Sequence, residues 1–373
     1  MTNEMLLEKI HLVAEKLMNL GGCDAEKDKS TDAASHKTGM IQRDFGIEEW
    51  DWPQGVGLYG LLKLQEYYGD NRYNEFFENW YQNNIKIGLP SKNVNTTAPF
   101  LALIHLVDAL PHSEEYRQMC IDRAKWLMNG LPRTRENGFQ HVTSAIGDRN
   151  GVSLNEGQVW ADTLVMTVLF LNLAGQKYDV KEWKDEAVHQ FLLHIKYLYD
   201  KQTGLIHHGW SFGRNDNFGG IFWCRGNSWF TYGVMDYIDA CHGTLDAGVK
   251  EYLLDTFRAQ ATALKALQDP ETGLWHTILD DPTSYVETSG SAAMAAGIIK
   301  GVRAGVLDES FRAVADKAIE GICSMVAEDG LVKNVSAGTG IGLDADHYRN
   351  IAIHPMAYGQ SLTLIALCEA LEK

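Results

Sequence analysis

The chain has 373 residues, 45% of them hydrophobic, which is enough to bury a large core; its formal charge of −16 comes from 33 Lys and Arg against 49 Asp and Glu, with no basic run. That balance argues against nucleic acid and anionic membrane surfaces as partners, and no apolar stretch reaches the roughly 18 residues of a membrane span. No Pro-rich, Ser/Gly-rich or low-complexity linker divides the sequence, so one domain over 1–373 is expected.

Apolar residues recur at three- and four-residue spacing in two kinds of segment that alternate along the chain. Segments 4–18, 71–87, 115–130, 181–199, 247–267 and 308–326 carry charge on one face, as helices with one wet side do. Between them, segments 53–68, 95–109, 158–174, 224–241, 286–304 and 355–371 are rich in Gly, Ala, Thr and aromatics and poor in charge, which predicts helices buried on most sides. A short repeat, Glu136-Asn-Gly-Phe, Gln202-Thr-Gly-Leu, Glu271-Thr-Gly-Leu and Glu328-Asp-Gly-Leu, sits between an outer-type and an inner-type helix each time. Its glycine suits a left-handed turn, and the apolar residue after it can fold back onto the helices.

Six inner helices within six outer ones make an all-α (α/α)6 barrel; an open α-solenoid is the competing architecture. The long connectors before the inner helices favour the closed ring, where they would converge on one mouth. The longest, about 20–49, is polar and aperiodic and is read as a lid, loop or rim. Cys23, Cys120, Cys224, Cys241, Cys323 and Cys368 show no paired spacing, which suggests free thiols in a reducing compartment. The sequence starts without a basic segment followed by an apolar core, so a cytoplasmic protein is expected.

The stretch from Trp210 to Phe230 gathers Trp210, Trp223 and Trp229 with Arg214 and Arg225. Indole planes stack on the apolar face of a sugar ring and a guanidinium fork pairs with a carboxylate, so this composition points to a sugar acid. The candidate acid is Asp162, alone at the opening of an almost uncharged helix beside Trp160; burial there is expected to raise its pKa toward that of a working proton donor. Asp51, Glu156 and Glu287 are possible partners for a two-carboxylate mechanism, although no pair is advertised. Histidines are plentiful in the connectors, yet none has the spacing of a metal site, and no P-loop, nucleophile elbow or dinucleotide fingerprint occurs. No metal and no cofactor are expected.

Seven segments in order, Trp50-Asp-Trp52-Pro-Gln54, Asn93-Val-Asn95-Thr-Thr, Trp160-Ala-Asp162, His207-His208-Gly-Trp210, Trp223-Cys-Arg225-Gly-Asn-Ser-Trp229, Gly273-Leu-Trp275-His276 and Tyr285-Val-Glu287, make the chain resemble the unsaturated rhamnogalacturonyl hydrolases of glycoside hydrolase family 105, and more distantly the unsaturated glucuronyl hydrolases of family 88. The resemblance runs from about Trp50 to the C-terminus. It implies an (α/α)6 barrel that removes a 4,5-unsaturated uronic acid from the non-reducing end of lyase-generated oligosaccharides by hydrating the C4=C5 bond. It maps the proton-donating aspartate onto Asp162, polar sugar contacts onto His141 and His208, stacking planes onto Trp52 and Trp229, and a substrate contact onto Arg225; guanidinium geometry suggests that Arg225 pairs with the uronate carboxylate. Trp160 joins this substrate-binding set. Well-known relatives carry a second aspartate where Asn95 aligns, and an amide there binds sugar without moving a proton. The partner expected is an unsaturated uronyl oligosaccharide, most simply galacturonyl-rhamnose, for a monomer or homodimer. The alternatives are an unsaturated glucuronyl substrate, another (α/α)6 sugar enzyme acting on saturated substrates, and a non-catalytic sugar-binding protein.

Overall fold

The structure, a computed structural model, describes residues 2–22, 45–145 and 148–371. In chain order its helices are α1 (Asn3–Met18), α2 (Trp52–Tyr68), α3 (Asn74–Ile87), α4 (Phe100–Leu106), α5 (Ser113–Asn129), α6 (Phe170–Lys177), α7 (Lys181–Leu198), α8 (Cys224–Ala240), α9 (Ala247–Leu267), α10 (Thr288–Arg303), α11 (Arg312–Met325), the short α12 (Ala345–Arg349) and α13 (Ala357–Ala370). A 3-10 turn, Asn95–Thr97, precedes α4, and a π-helical segment, Leu164–Leu169, runs directly into α6. Most of the expected connector 20–49 falls at 23–44, outside the described residues.

Alternation of polarity accounts for the layers. Helices α2, α8, α10 and α13 are buried almost along their whole length, whereas α3 buries Phe77, Trp80, Tyr81 and Asn84 on one face and leaves its charged face wet. Going round the ring, α2 packs on α4, α4 on α6, the π segment on α8, α8 on α10, α10 on α13, and α13 back on α2. That last contact joins the first inner helix to the last, which an open stack of hairpins does not do. The fold is therefore the closed (α/α)6 toroid, with α1 laid against α13.

The small residues of the inner helices have a steric reason. A Cβ on Gly290 of α10 would lie 2.6 Å from Cys224 Sγ, and one on Gly297 2.4 Å from the Thr231 carbonyl, so the α8 and α10 backbones meet closer than side chains permit. The same two helices are tied at both ends. Arg225 at the start of α8 lies 3.7 Å from Glu287, the N-cap of α10, and Asp236 near the end of α8 contacts Lys300 near the end of α10.

The repeated turn behaves as expected at three of its four copies: Gly204, Gly273 and Gly330 have φ of 79°, 74° and 82°. In the first copy the left-handed residues are Glu136 and Asn137, while Gly138 is extended at φ −67°. Phe139, Leu205 and Leu274, each following the glycine, are buried. Beyond these turns lie three small antiparallel ladders: β1 (Thr143–Ala145) with β2 (Asp148–Ser153), β3 (Gln158–Trp160) with β4 (Gly209–Ser211), and β5 (Trp275–His276) with β6 (Val286–Glu287). None of the described helices is long and apolar enough to cross a membrane.

Candidate functional site

A cavity of about 170 Å³ opens where the inner helices begin. Trp52 enters it from the start of α2, Asn95 from the turn before α4, Asp162 and Met166 from the approach to α6, Trp223 and Arg225 from the start of α8, and Gly338, Thr339 and Gly340 from the connector before α13. His141, Thr143, Ser144, Ser153, Asn155 and Trp160 complete the wall from the β1–β2 and β3 segments. The starts of α2 and α8, the approaches to α4 and α6 and the connector before α13 thus face one space.

Asp162 is delivered by the β3–β4 ladder. Trp160 pairs with Gly209, and Ala161 N–H donates to the His208 carbonyl at 2.9 Å, so Asp162 and His208 lie side by side although far apart in the chain. The π-helical turn after Asp162 widens the helix where the side chain must point into the cavity, a feature frequent at functional sites. Asp162 Oδ2 lies 3.3 Å from His208 Nε2, an ion-pair contact, and among the described residues neither atom has another partner. Two buried polar atoms left in this state await a third group. His208 is held from its other side by Tyr348, with the hydroxyl 3.1 Å from Nδ1, and lies tilted over Trp223 at 4.5 Å.

The expected upward pKa of Asp162 is corrected by this arrangement. Burial pushes the carboxyl up, as expected, but the neighbouring His208 stabilises the anion more strongly, so it lies below its ordinary value. His141 stacks flat on Trp160 at 4.1 Å and shares a 2.8 Å hydrogen bond with Thr163 through Nδ1; burial pushes its pKa down to about 3, which keeps the ring neutral.

Two further expectations change. Arg225 lines the cavity, but its fork is committed: Nη1 donates to the Ser336 carbonyl at 2.8 Å and to the Ser336 and Ser289 hydroxyls, and Nη2 to the Ala337 carbonyl at 2.7 Å. The guanidinium packs against the Trp223 and Tyr358 rings; among the described residues Nε has no partner and Nη2 uses one of its two N–H groups, so the end-on fork is taken up by the protein and only the buried Nε edge stays open. Trp229 is fully buried and does not line the cavity; it abuts the edge of Trp52, whose opposite support is Tyr358, stacked at 4.5 Å. Trp52 is the indole with surface in the cavity from that side, and Trp229 braces it.

The other acids are structural. Asp51 caps α2, accepting from Trp52 N–H at 2.8 Å and from the Ser144 hydroxyl at 2.7 Å. Glu287 caps α10 and accepts from the N–H groups of Ser289, Gly290 and Ser336. Glu156 is exposed and outside the cavity wall. Asn95 lines the cavity, and among the described residues its side-chain amide has no partner. Sequence reasoning missed Thr143, Ser144, Ser153, Asn155 and Met166, which carry no distinctive chemistry; Gly338-Thr-Gly340 left a trace as a glycine-rich connector. No group of three His, Cys, Asp or Glu able to hold a metal occurs among the described residues.

Among the described residues the cavity holds one buried carboxylate within aromatic walls at the mouth of an (α/α)6 toroid, an arrangement suited to a carbohydrate-active enzyme. Residues 27–373 match the family model described as Glycosyl Hydrolase Family 88, and the chain belongs to that family; it is a glycoside hydrolase. It is 30% identical over 341 residues to the unsaturated rhamnogalacturonyl hydrolase YesR of Bacillus subtilis, covering 89% of this chain and 93% of that protein. A crystal structure from Salmonella enterica serovar Paratyphi A, described as a possible member of the GH105 family, superposes with a TM-score of 0.88 at 36% identity over 99% of this chain and 94% of that one. A structure from Klebsiella pneumoniae with the same description gives 0.87 at 35% identity, over 99% and 93%.

Proposed function

We propose that this enzyme removes a terminal 4,5-unsaturated uronic acid from oligosaccharides, most simply unsaturated galacturonyl-rhamnose, with Asp162 as the proton donor. One observation carries the reading: among the described residues that line the cavity, Asp162 is the sole carboxylate. Displacement at an anomeric carbon calls for two carboxyl groups, roughly 5 Å or 6.5–9.5 Å apart. Hydration of an enol ether needs one. Asp162 protonates C4, water adds at C5 while giving its proton back to the carboxylate, and the resulting hemiketal opens to release the neighbouring sugar. The relative YesR, named for unsaturated rhamnogalacturonyl hydrolysis, supports the same assignment.

Asp162 rests as the anion and must be protonated to begin. The substrate supplies the bias: its own carboxylate and its displacement of water both disfavour a second negative charge in the cavity. In this reading Trp52 and Trp160 carry the sugar ring, Asn95, His141 and His208 bind its polar groups, and Arg225 acts on the substrate through the loop it holds. The cavity, about 170 Å³, is smaller than the roughly 300 Å³ at which pockets for drug-sized ligands begin, which suits one sugar ring and so an exo-acting enzyme. Buried thiols at Cys120, Cys224, Cys241 and Cys323 agree with a cytoplasmic location.

The test is loss of ultraviolet absorbance from the conjugated double bond of an unsaturated galacturonyl-rhamnose disaccharide, with free rhamnose appearing in step. Asp162→Asn should slow turnover by about 10²–10⁴-fold while leaving binding largely intact. Cleavage of the saturated disaccharide with no action on the unsaturated one would refute the reading.

A further inference from the structure

With Nη1 of Arg225 and one N–H of its Nη2 committed to the protein, a uronate finds only one buried edge of that guanidinium open. The cavity's other cationic credit is small. Arg225 is 3.7 Å from the equally buried Glu287, which offsets its charge, and Asp162 adds a negative one. The connector Ser336-Ala-Gly338-Thr339-Gly340-Ile-Gly342 shows where donors remain.

Both flanks of this connector are fixed. Ser336 N–H donates to Glu287 at 3.0 Å, the Ser336 carbonyl accepts from Arg225 at 2.8 Å and from Tyr358, and the Ala337 carbonyl accepts from Arg225 at 2.7 Å. Ala337 N–H donates to Ala352 at 2.8 Å. At the far end Gly342 N–H donates to the Tyr348 hydroxyl at 3.1 Å, and His347 Nε2 lies 2.7 Å from Thr339 Oγ1 and 3.1 Å from the Gly340 carbonyl. Between these anchors the N–H groups of Gly338, Thr339 and Gly340 have no partner among the described residues, although all three residues line the cavity. A peptide plane holds its N–H opposite its carbonyl, so Arg225, by taking the Ala337 carbonyl, turns the Gly338 N–H away from itself. Successive free N–H groups in a turn form a concavity that binds anions. A second observation points to the same ligand: Arg225, a cavity-lining residue whose side chain is 1% exposed, keeps its Nε without a partner among the described residues.

We infer that the backbone N–H groups of Gly338–Gly340 form the carboxylate-binding element of this site, and that Arg225 is a positioning residue that presents them. The inference rests on the proposed uronate substrate and names the element that recognises its carboxylate. Specificity for an acid over a neutral sugar then comes from main-chain donors, whose dipoles are fixed before the ligand arrives and need no charged side chain to be desolvated.

The experiment uses the full chain bearing Asp162→Asn, with the unsaturated galacturonyl-rhamnose disaccharide as free acid and as methyl ester, read by amide hydrogen exchange and calorimetry. The free acid should slow exchange in peptides covering 338–341 several-fold more than the ester at equal saturation; equal protection by both would overturn the inference. The acid should bind about tenfold or more tighter than the ester. Thr339→Pro, which deletes one of the N–H groups, should reduce that preference to below about threefold, and Thr339→Val should keep it. Arg225→Gln should speed exchange at 336–341 in the unliganded protein and raise KM for the acid more than it lowers kcat. A lost acid preference in Arg225→Gln with unchanged loop exchange would assign the carboxylate to Arg225 itself and refute the inference. If Thr339→Pro does not fold, the exchange comparison in the Asp162→Asn chain decides alone. Absence of turnover by the wild-type enzyme on the unsaturated disaccharide would count against the proposed function, whereas turnover with ester and acid treated alike would count against the loop.

Discussion

Lys300→Met should destabilise the toroid at its base without touching the site. Asp236 is 4% exposed; its Oδ1 contacts Lys300 and its Oδ2 accepts from the Tyr59 hydroxyl at 2.8 Å. Burial pushes this carboxyl up, yet Lys300 and Lys63 hold it well below the usual carboxylate range, so Asp236 remains charged at neutral pH. Methionine fills most of the lysine volume but leaves that charge buried with the Tyr59 hydrogen bond and the attraction of Lys63, which costs up to about 3–5 kcal/mol. The second contact of Lys300, to the exposed Asp239 at 2.8 Å, adds at most about 1 kcal/mol. An unfolding entropy of ~2.1 cal/mol/K per residue over 373 residues is about 0.8 kcal/mol/K, so Tm should fall by roughly 4–8 °C. Differential scanning calorimetry reads the shift, and activity at 25 °C should be unchanged, because the Arg225–Glu287 tie at the other end of the same two helices remains. Adding Asp236→Asn removes the stranded charge and should recover at least about 2 kcal/mol. A Lys300→Met Tm within about 1 °C of wild type, or no recovery in the double variant, would refute the account.

Acid should destabilise the fold through histidines that are buried neutral. Burial holds His194 at about 4 and His141 at about 3, both below the unfolded value near 6.5, so the unfolded chain binds the extra protons. Their contribution is fully present above pH ~6.5 and is lost as pH falls toward those values, by about 1.4 kcal/mol per pH unit for each; His194→Phe should make the stability measured by urea unfolding less dependent on pH between 6 and 4.5. Gly290→Ala places a methyl group 2.6 Å from Cys224 Sγ and 2.9 Å from the Arg225 nitrogen. It should cost about 1–3 kcal/mol and raise KM, and an unchanged KM would show that the start of α8 tolerates displacement. Trp52→Ala removes an aromatic wall of the cavity and should weaken disaccharide binding in calorimetry by roughly tenfold, the loss of one stacked ring.

The sequence alone carried the ring's periodicity. Charge on one face or on none distinguishes the segment that becomes α3 from the one that becomes α8, because each helix reports its own solvent exposure residue by residue. It also singled out Asp162, which the structure places in the cavity wall, since a lone acid ahead of an uncharged helix is a local anomaly, and the composition of Trp210 to Phe230. What sequence reading could not reach depends on partners distant along the chain. Closure needs α13 to meet α2, about 300 positions earlier. The depressed pKa of Asp162 needs His208, brought alongside by the pairing of Trp160 with Gly209. Arg225 and Trp229 lie four residues apart in one motif, yet the first has its fork consumed by Ser336 and Ala337 and the second lies beneath Trp52. A residue's type sets which bonds it is able to make, but which of them are already made is set by the packing of the whole ring, and so the recognition groups of this site were decided by tertiary structure.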